Sequence, residues 1–526
     1  MPNKPKQNEK PLCKDCNKYP VVIGSSCRIC AREFGLATLD YLRRDEVSEG
    51  GPFADTYDPA IIEEPRNTDA GNAIRLAKMW YDDVLYVPEA KAWFVWNGRV
   101  WTEDKGEVEM LRMAKRTIER FFLSAAGQKD EDVRKGQLKW AMASESQARL
   151  VAMIQSAKSL CRTFKYSDFD GDPWLFNAAN YTIDLRTGAP RKHQRADFLT
   201  KISPVEYDPN AKCSRWNQFL NEIMPGHEEC CVPFLQRAVG YTLTGRINEE
   251  CFFVCWGPRG RNGKSKFIET FRHVLGDYGR VASFDTFVAR KGDEKLNDIA
   301  GFRGARLIVA SESEHCKRLA EAKIKRMTGD EAVTGEFKYQ EQFSYVPSYK
   351  IWLVTNAKPK VVGTDDAIWD RTHLIPFNRY FSEKERDLKL GEKLKAEASG
   401  VLNWIIEGCL EWQRQGLNVP SCVRQATKDY RAEQDVLRHF IEDRCVVGTD
   451  KWAGKQPMYD SYRAWAERMG EFVMPLAEFT ERFQLQFEEG RSGPRGRHWK
   501  GVAVRSDSEF EQLSTDEQEK VVKAIQ

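Results

Sequence analysis

The stretch Phe253-Val-Cys-Trp-Gly-Pro-Arg-Gly-Arg-Asn-Gly-Lys-Ser-Lys-Phe267 decides how this chain is to be read. It passes from an apolar run through a glycine-rich turn into a segment whose Phe267, Ile268 and Phe271 fall on one helical face. Glycines let the backbone curl until its N–H groups face phosphate oxygens, and the helix that follows adds the positive end of its dipole. The stretch therefore reads as a phosphate-binding loop of the Walker A kind, with a nucleotide-binding set of Gly257, Pro258, Arg259, Gly260, Arg261, Asn262, Gly263, Lys264 and Ser265. Lys264 is expected to reach the β- and γ-phosphates of ATP, and Ser265 to hold Mg²⁺. The spacing departs from the plain motif, because Pro258 stands five residues before Gly263 and the first glycine, Gly257, lies one residue earlier. The path of the loop is thus left open. A glycine-rich turn on a basic surface is the plain alternative, and the placement of Gly-Lys-Ser between an apolar strand and an amphipathic helix argues against it.

Outward from the loop, the apolar runs CFFVCW (251–256), RLIVA (306–310), KIWLVT (350–355) and THLIPF (372–377) alternate with helical or polar stretches. Buried parallel strands have this pattern, so the segment predicts an α/β fold built on a parallel sheet. RLIVA leads into Ser311-Glu312-Ser313-Glu314, with Glu312 forty-eight residues after Lys264. Hydrolysis of Mg²⁺-ATP needs a carboxylate at a strand end to steady the metal shell and orient the attacking water. Glu312 is the first candidate for that role and Glu314 the second. KIWLVT delivers Asn356 at its C-terminal end, where a neutral polar side chain can orient water against the γ-phosphate. Arg371 opens the fourth apolar run. An arginine suits the charge that develops in phosphoryl transfer, and in rings it is commonly supplied by the neighbouring subunit. The plain alternative for Arg371 is an ion pair with Asp365, Asp366 or Asp370.

Taken together, Gly-Lys-Ser, the Glu-x-Glu after an apolar strand, Lys325-Arg-Met-Thr-Gly-Asp330, the strand ending in Asn356, and Asp365-Asp-Ala-Ile-Trp-x-Arg371-x-x-x-Ile-Pro-Phe377 resemble the phage/plasmid and poxvirus-type primase-helicases of superfamily 3. The similarity covers about Asp69 to the C-terminus and includes the WNGRVWTED element ahead of the ATPase segment. The resemblance implies an AAA+ fold, hexameric rings with ATP at subunit interfaces, and translocation along one DNA strand, usually 3′ to 5′. It assigns Lys264 and Ser265 to the nucleotide, Glu312 and Glu314 to the Walker B acids, Asn356 to the polar sensor and Arg371 to the finger. The stretch between Asp330 and Lys350 resembles the hairpin that such rings point into their channel. Lys338 and Tyr339, with Lys325, are the DNA-contacting candidates it suggests. Asp370 departs from the pattern, standing where relatives often carry a second arginine.

Elsewhere, Cys13-x₂-Cys16-x₁₀-Cys27-x₂-Cys30 has the spacing of two knuckles facing across a short hairpin, which predicts a structural Zn²⁺ held by four thiolates. The remaining ten cysteines, including the adjacent Cys230 and Cys231, lack metal-like spacing and are expected to be packing residues. The domain reading is a zinc ribbon over 1–45, a linker over 46–68 and a mainly helical domain over 69–205 whose Asn97-Gly98 turn predicts a hairpin. The ATPase core follows over 206–380, then a helical and winged-helix-like domain over 381–526, helical to about Met469 and ending in a basic two-stranded wing with Arg491, Arg495, Arg497, His498 and Lys500. At 526 residues the chain is too long for one core. No apolar run is long enough for a bilayer span and the N-terminus lacks a secretory pattern, so the expected location is cytoplasmic, without membrane association. A net charge of +3 neither demands nor excludes nucleic acid, so any DNA surface must be local.

The function these features predict is an ATP-dependent DNA helicase acting on single-stranded and forked DNA during replication of a mobile element, with other replication proteins as partners. An AAA+ origin binder or loader, and a bifunctional primase-helicase, are the competing readings. Only about 180 residues separate the ribbon from the ATPase segment, too few for a full priming domain beside the helical one.

Overall fold

The structure is a computed structural model, and it describes residues 65–289, 296–311, 318–336, 342–361, 366–493 and 496–505. The chain divides into two compact units, Met1–Gly171 with Gln194–Thr200, and Asp172–His193 with Lys201–Gln526.

In the first unit, helix α1 (Asp69–Trp80) starts at Thr68, whose hydroxyl accepts from the Gly71 N–H at 3.0 Å, a side-chain N-cap. Strands β1 (Val84–Val87), β2 (Ala92–Trp96) and β3 (Trp101–Glu103) form an antiparallel meander. The expected Asn97-Gly98 turn joins β2 to β3, with Asn97 Oδ1 accepting from the N–H groups of Arg99 and Val100 at 2.9 Å each and Gly98 at φ +95°. Asp104 accepts from the N–H groups of Glu109 and Met110 at 3.0 and 2.8 Å and so starts α2 (Val108–Ala126), which α3 (Glu131–Ser144) and α4 (Gln147–Ala157) follow. Ala73, Leu76, Met110, Ile118, Leu150 and Ile154 fill the core between these helices and the meander.

The second unit opens with a short meander, β4 (Leu175–Asn177), β5 (Thr182–Asp184) and β6 (Ala189–Arg191), and the helices α5 (Ser214–Ile223) and α6 (Glu228–Leu243). Its centre is a five-stranded, wholly parallel sheet: β7 (Phe252–Trp256), β8 (Gly279–Ser283), β9 (Leu307–Ser311), β12 (Lys350–Thr355) and β13 (Thr372–Pro376), in the spatial order β13-β7-β12-β9-β8. Helix α7 (Lys264–Leu275) follows β7, and α8 (Leu296–Ala300), α9 (Glu321–Thr328), the antiparallel pair β10 (Val333–Gly335) and β11 (Phe343–Tyr345), and α10 (Asp366–Asp370) lie along the remaining connections. Side chains alternate across the sheet as strand geometry requires. Phe253, Cys255, Trp352 and Ile375 face one core with Phe267 and Phe271 of α7, whereas Phe252, Val254, Ile351, Leu353 and Leu374 face the other. All four expected apolar runs are thus parallel strands buried on both faces, the arrangement of a phosphate-loop core. The fifth strand, β8, escapes the sequence pattern because none of its side chains is buried, Val281 being 64% exposed.

At the N-terminal edge of this sheet two cations are buried. Lys350 Nζ donates to the Thr244 carbonyl at 2.6 Å and Arg306 Nη1 to the Leu243 carbonyl at 2.7 Å. Both engage carbonyls at the C-terminal end of α6, where a helix leaves acceptors unpaired and its dipole is negative. Burial holds the Lys350 ammonium well below the ordinary lysine range.

Beyond β13 come α11 (Leu390–Ala396), α12 (Ala398–Gln415), α13 (Ser421–Glu433) and α14 (Val436–Arg444). The expectation of helix as far as Met469 is corrected here. Residues Cys445–Gly454 form strand β14, which precedes α15 (Lys455–Met469), α16 (Leu476–Gln484), β15 (Glu489–Ser492) and β16 (Gly496–Val504). β14 pairs with β16, Cys445 opposite Val504, so its partner lies some fifty residues along the chain, beyond the reach of a local pattern. The anticipated helix and antiparallel pair are present as α16 and β15–β16. His498, expected among the basic side chains of that pair, is 5% exposed with Nδ1 3.1 Å from the Gly496 carbonyl, while Arg491, Arg497 and Lys500 are exposed. Arg495 and the four cysteines Cys13, Cys16, Cys27 and Cys30 lie outside the described residues. Among the described residues no helix is long and apolar enough to cross a membrane.

Candidate nucleotide site

The register Trp352↔Phe253 to Thr355↔Trp256 on one side of β7, and Thr372↔Phe252 to Pro376↔Trp256 on the other, ends three strands at one level. Gly257, Asn356 and Phe377 therefore leave the sheet together at its C-terminal edge, where open parallel sheets bind ligands. The loop that begins at Gly257 is braced from inside and outside. Asn262 is 4% exposed and its amide donates to the Arg259 carbonyl at 2.8 Å, while the Arg261 carbonyl accepts from the Phe381 N–H at 2.9 Å. Gly263 turns the chain into α7 with φ +88°, a conformation that a side chain rarely adopts, and a Cβ there would run into Ile223. At Gly257 a Cβ would lie 2.5 Å from the Phe377 carbonyl oxygen. The displaced first glycine is therefore explained: the backbone must pass between Phe377 and the Lys264 ammonium at that position, and Pro258 then sits exposed on the loop.

Lys264, the first residue of α7, is 4% exposed and turns back under the loop. Its Nζ donates to the Gly257 carbonyl at 3.1 Å and to Asn356 Oδ1 at 2.8 Å. Two residues 92 positions apart are thus joined by one hydrogen bond at the edge of the sheet. Burial lowers the Lys264 pKa to about 8, since neither contact brings a full negative charge. Ser265 is exposed beside it in the first turn of the helix. Arg259, Gly260 and Arg261 are exposed along the loop.

Arg371 is not brought to this cluster. It precedes β13, and its carbonyl accepts from the Phe252 N–H at 2.8 Å, which puts it at the N-terminal edge of the sheet. A five-residue strand separates the two edges by about 16 Å. Its guanidinium pairs with the Glu250 carboxylate at 2.5 Å and donates to the Glu250 carbonyl at 3.2 Å and to Thr328 at 3.5 Å. Among the described residues the ion-pair partner of Arg371 is thus Glu250, while Asp366 is taken by Arg431 and Asp365 lies outside the described residues. Glu250 could have been suspected only from its place just ahead of CFFVCW. Sequence reading also missed Lys358, whose Nζ lies 4.4 Å from the Trp256 ring centroid and 2.7 Å from the Glu433 carboxylate, bracing the segment after Asn356 against α13.

Glu312 and Glu314 lie outside the described residues, as do Lys338 and Tyr339. Ser311, the residue before Glu312, pairs in register with Val354, so β9 also ends at the C-terminal edge. β10 and β11 are the two legs of the expected hairpin, Val333 opposite Tyr345 and Gly335 opposite Phe343. Lys325 lies half-buried on α9 and is not part of the cluster around Lys264.

Two family models match the chain. One is described as D5 N terminal like and matches residues 73–225; the other, a family of unknown function (DUF5906), matches residues 255–371. A helicase-named protein of Acanthamoeba polyphaga mimivirus is 25% identical over 323 residues, covering 57% of this chain and 33% of that protein. Helicase-named proteins of Invertebrate iridescent virus 3 and Frog virus 3 are 23% and 24% identical over 58% and 56% of this chain and 37% and 39% of their own lengths. The chain fits the phage and poxvirus-type primase-helicase family. Its aligned part spans little more than a third of the length of these helicase-named relatives. Among solved structures, the apo C terminal region of NrS-1 (305–718) aligns with a TM-score of 0.45 and 9% identity, over 82% of this chain and 99% of that one. The second matched segment contains Lys264, Asn356 and Arg371, and the first runs from α1 to just past α5.

Proposed function

We propose that this chain is an ATP-hydrolysing DNA helicase of superfamily 3, with an AAA+ core that works as a hexameric ring on single-stranded and forked DNA. The observation that carries the reading is the buried Lys264 ammonium, held between the Gly257 carbonyl and Asn356 beneath a glycine-rich loop at the C-terminal edge of a parallel sheet. An ammonium has three donors, and with two engaged the third is aimed by them, ready for a β- or γ-phosphate oxygen. The loop N–H groups and the N-terminus of α7 complete the cradle.

The donor set suits Mg²⁺, because the exposed Ser265 hydroxyl offers an oxygen ligand beside the phosphate position, as a hard ion that keeps several waters requires. When bound, Mg²⁺ neutralises charge on the phosphate oxygens. Asn356 is assigned to orient water, and Glu312, with Glu314 behind it, is assigned the activating carboxylate. Arg371 stands at the far edge from its own loop, which supports a role at the nucleotide of a neighbouring subunit. Lys325 and the hairpin residues Lys338 and Tyr339 are assigned to DNA, Cys13, Cys16, Cys27 and Cys30 to Zn²⁺, and the C-terminal α16 and β14–β16 region to a winged-helix-like domain.

The test is strand displacement on a forked DNA substrate, with phosphate release followed in the same reactions, for the parent chain and Lys264→Ala. Unwinding and hydrolysis by the parent and neither by the variant is the expected result. DNA-stimulated hydrolysis without unwinding would shift the reading to a loader or origin binder. Hydrolysis undiminished in Lys264→Ala would sink the site itself.

A further inference from the structure

A second chemical cluster lies away from the nucleotide site. His227 is the residue before α6, Cys230 and Cys231 are in its first turn, and Cys422 is in the first turn of α13. The ring of His227 and the thiols of Cys230 and Cys422 place one donor atom each within 4.8 Å of one another. The Cys230 and Cys422 sulfurs are 3.6 Å apart. Two thiolates on a tetrahedral zinc ion, each at about 2.3 Å, stand about 3.8 Å apart, so this separation already matches a ligand pair. The Cys231 sulfur lies 2.6 Å from that of Cys422 and 4.0 Å from that of Cys230.

Cys231 is fully buried, and Cys230 and Cys422 lie half-buried against the same core, the Cys230 thiol also donating to the His227 carbonyl at 3.4 Å. Packing does not account for His227, which is exposed and yet holds a ring nitrogen beside the two partly accessible thiols. Two helices of 16 and 13 residues bring their first turns to this point. We propose that His227, Cys230 and Cys422 form a metal site for a zinc-class divalent cation, open to solvent at its fourth position and separate from the cysteines near the N-terminus. Nitrogen and sulfur donors select such an ion over Mg²⁺ or Ca²⁺.

The site clamps α6 to α13. Helix α13 in turn supports the segment between Asn356 and β13: the Thr427 hydroxyl accepts from the Leu374 N–H at 3.0 Å, the Tyr430 hydroxyl donates to the Pro359 carbonyl, and Arg431 pairs with Asp366. A metal here therefore steadies the strand that follows Arg371.

The experiment uses the full chain carrying Cys13→Ser and Cys16→Ser, so that metal bound by the N-terminal cysteines does not obscure the reading. Co²⁺ serves as the spectroscopic probe, with Zn²⁺ in competition. One Co²⁺ per chain is expected, with thiolate-to-metal charge-transfer bands, displaced by Zn²⁺. Cys422→Ser should abolish the bands, and His227→Ala, at an exposed position that leaves the fold intact, should weaken binding by at least about tenfold. Absence of the bands in the parent, or binding unchanged by both substitutions, overturns the site. So does a Cys231–Cys422 disulfide found by mass spectrometry in the freshly isolated chain, because it would consume one of the ligands.

Discussion

At Lys264 two local facts act together: a lysine placed directly after Gly263 must start α7, and the curl of the loop then covers its ammonium. Because burial depresses its pKa to about 8, the free protein loses this charge as the pH rises above that value. A bound phosphate restores the proton, so on the proposed reading nucleotide affinity falls as pH rises past about 8, approaching tenfold per unit. Binding of a non-hydrolysable ATP analogue measured from about pH 7 to about pH 9.5 checks this, and a flat profile would show that Lys264 does not meet the phosphates. The same shift has a stability consequence of opposite sign. A cation whose folded pKa lies below its ordinary value of 10.5 costs stability while charged, and that cost is relieved as pH climbs from about 8 toward 10.5. Asn356→Ala should leave analogue binding within a few-fold of the parent while slowing hydrolysis by about a hundredfold, the usual scale for removing one positioned polar group. Equal losses in binding and turnover would point to a purely structural hydrogen bond. Lys264, Ser265 and Asn356 were readable as candidates because motif and strand end are contiguous in sequence. Glu250 was not, because its pairing with Arg371 joins residues 121 positions apart.

Among the elements, legibility followed burial. β7, β9, β12 and β13 are buried on both faces and write themselves as unbroken apolar runs, whereas the edge strand β8 and the partly exposed β14 exist through backbone pairing that any side chain tolerates. A close helix contact in the second unit was equally silent. α6 and α12 cross where Gly240 meets the backbone of Gly408 and Cys409, and a Cβ at either glycine would overlap the opposing backbone. Two interior glycines, a liability in an isolated helix, here permit close approach of the two backbones. Gly240→Val should lower unfolding stability by about 3 kcal/mol in a urea titration, since neither backbone can retreat without opening the core around Leu235, Val239 and Ile405. A change below about 0.5 kcal/mol would show that the helices are free to separate.

For the whole molecule the deciding fact is that Lys264 and Arg371 stand at opposite edges of one sheet. Arg371 therefore does not reach the loop of its own chain. If Arg371 serves a neighbour, Lys264→Ala and Arg371→Ala should each be inactive alone, yet a mixture of the two should regain part of the parent ATPase rate, because some interfaces join an intact loop to an intact arginine. The comparison is a phosphate-release assay across mixing ratios. Activity that stays at the sum of the two variants would rule out the arrangement and leave Arg371 as the partner of Glu250 alone. By itself the sequence determined the glycine-rich turn between β7 and α7, four of the five parallel strands and the polar residue at the end of β12, because each is encoded in a contiguous stretch whose periodicity and glycines act locally. Only the tertiary structure decided which edge each residue occupies, that Arg371 pairs with Glu250, and that Cys230 and Cys422, 192 positions apart, meet at two helix N-termini. Strand order and helix crossing are settled by backbone pairing and shape between distant segments, and these leave no mark on any single stretch of chain.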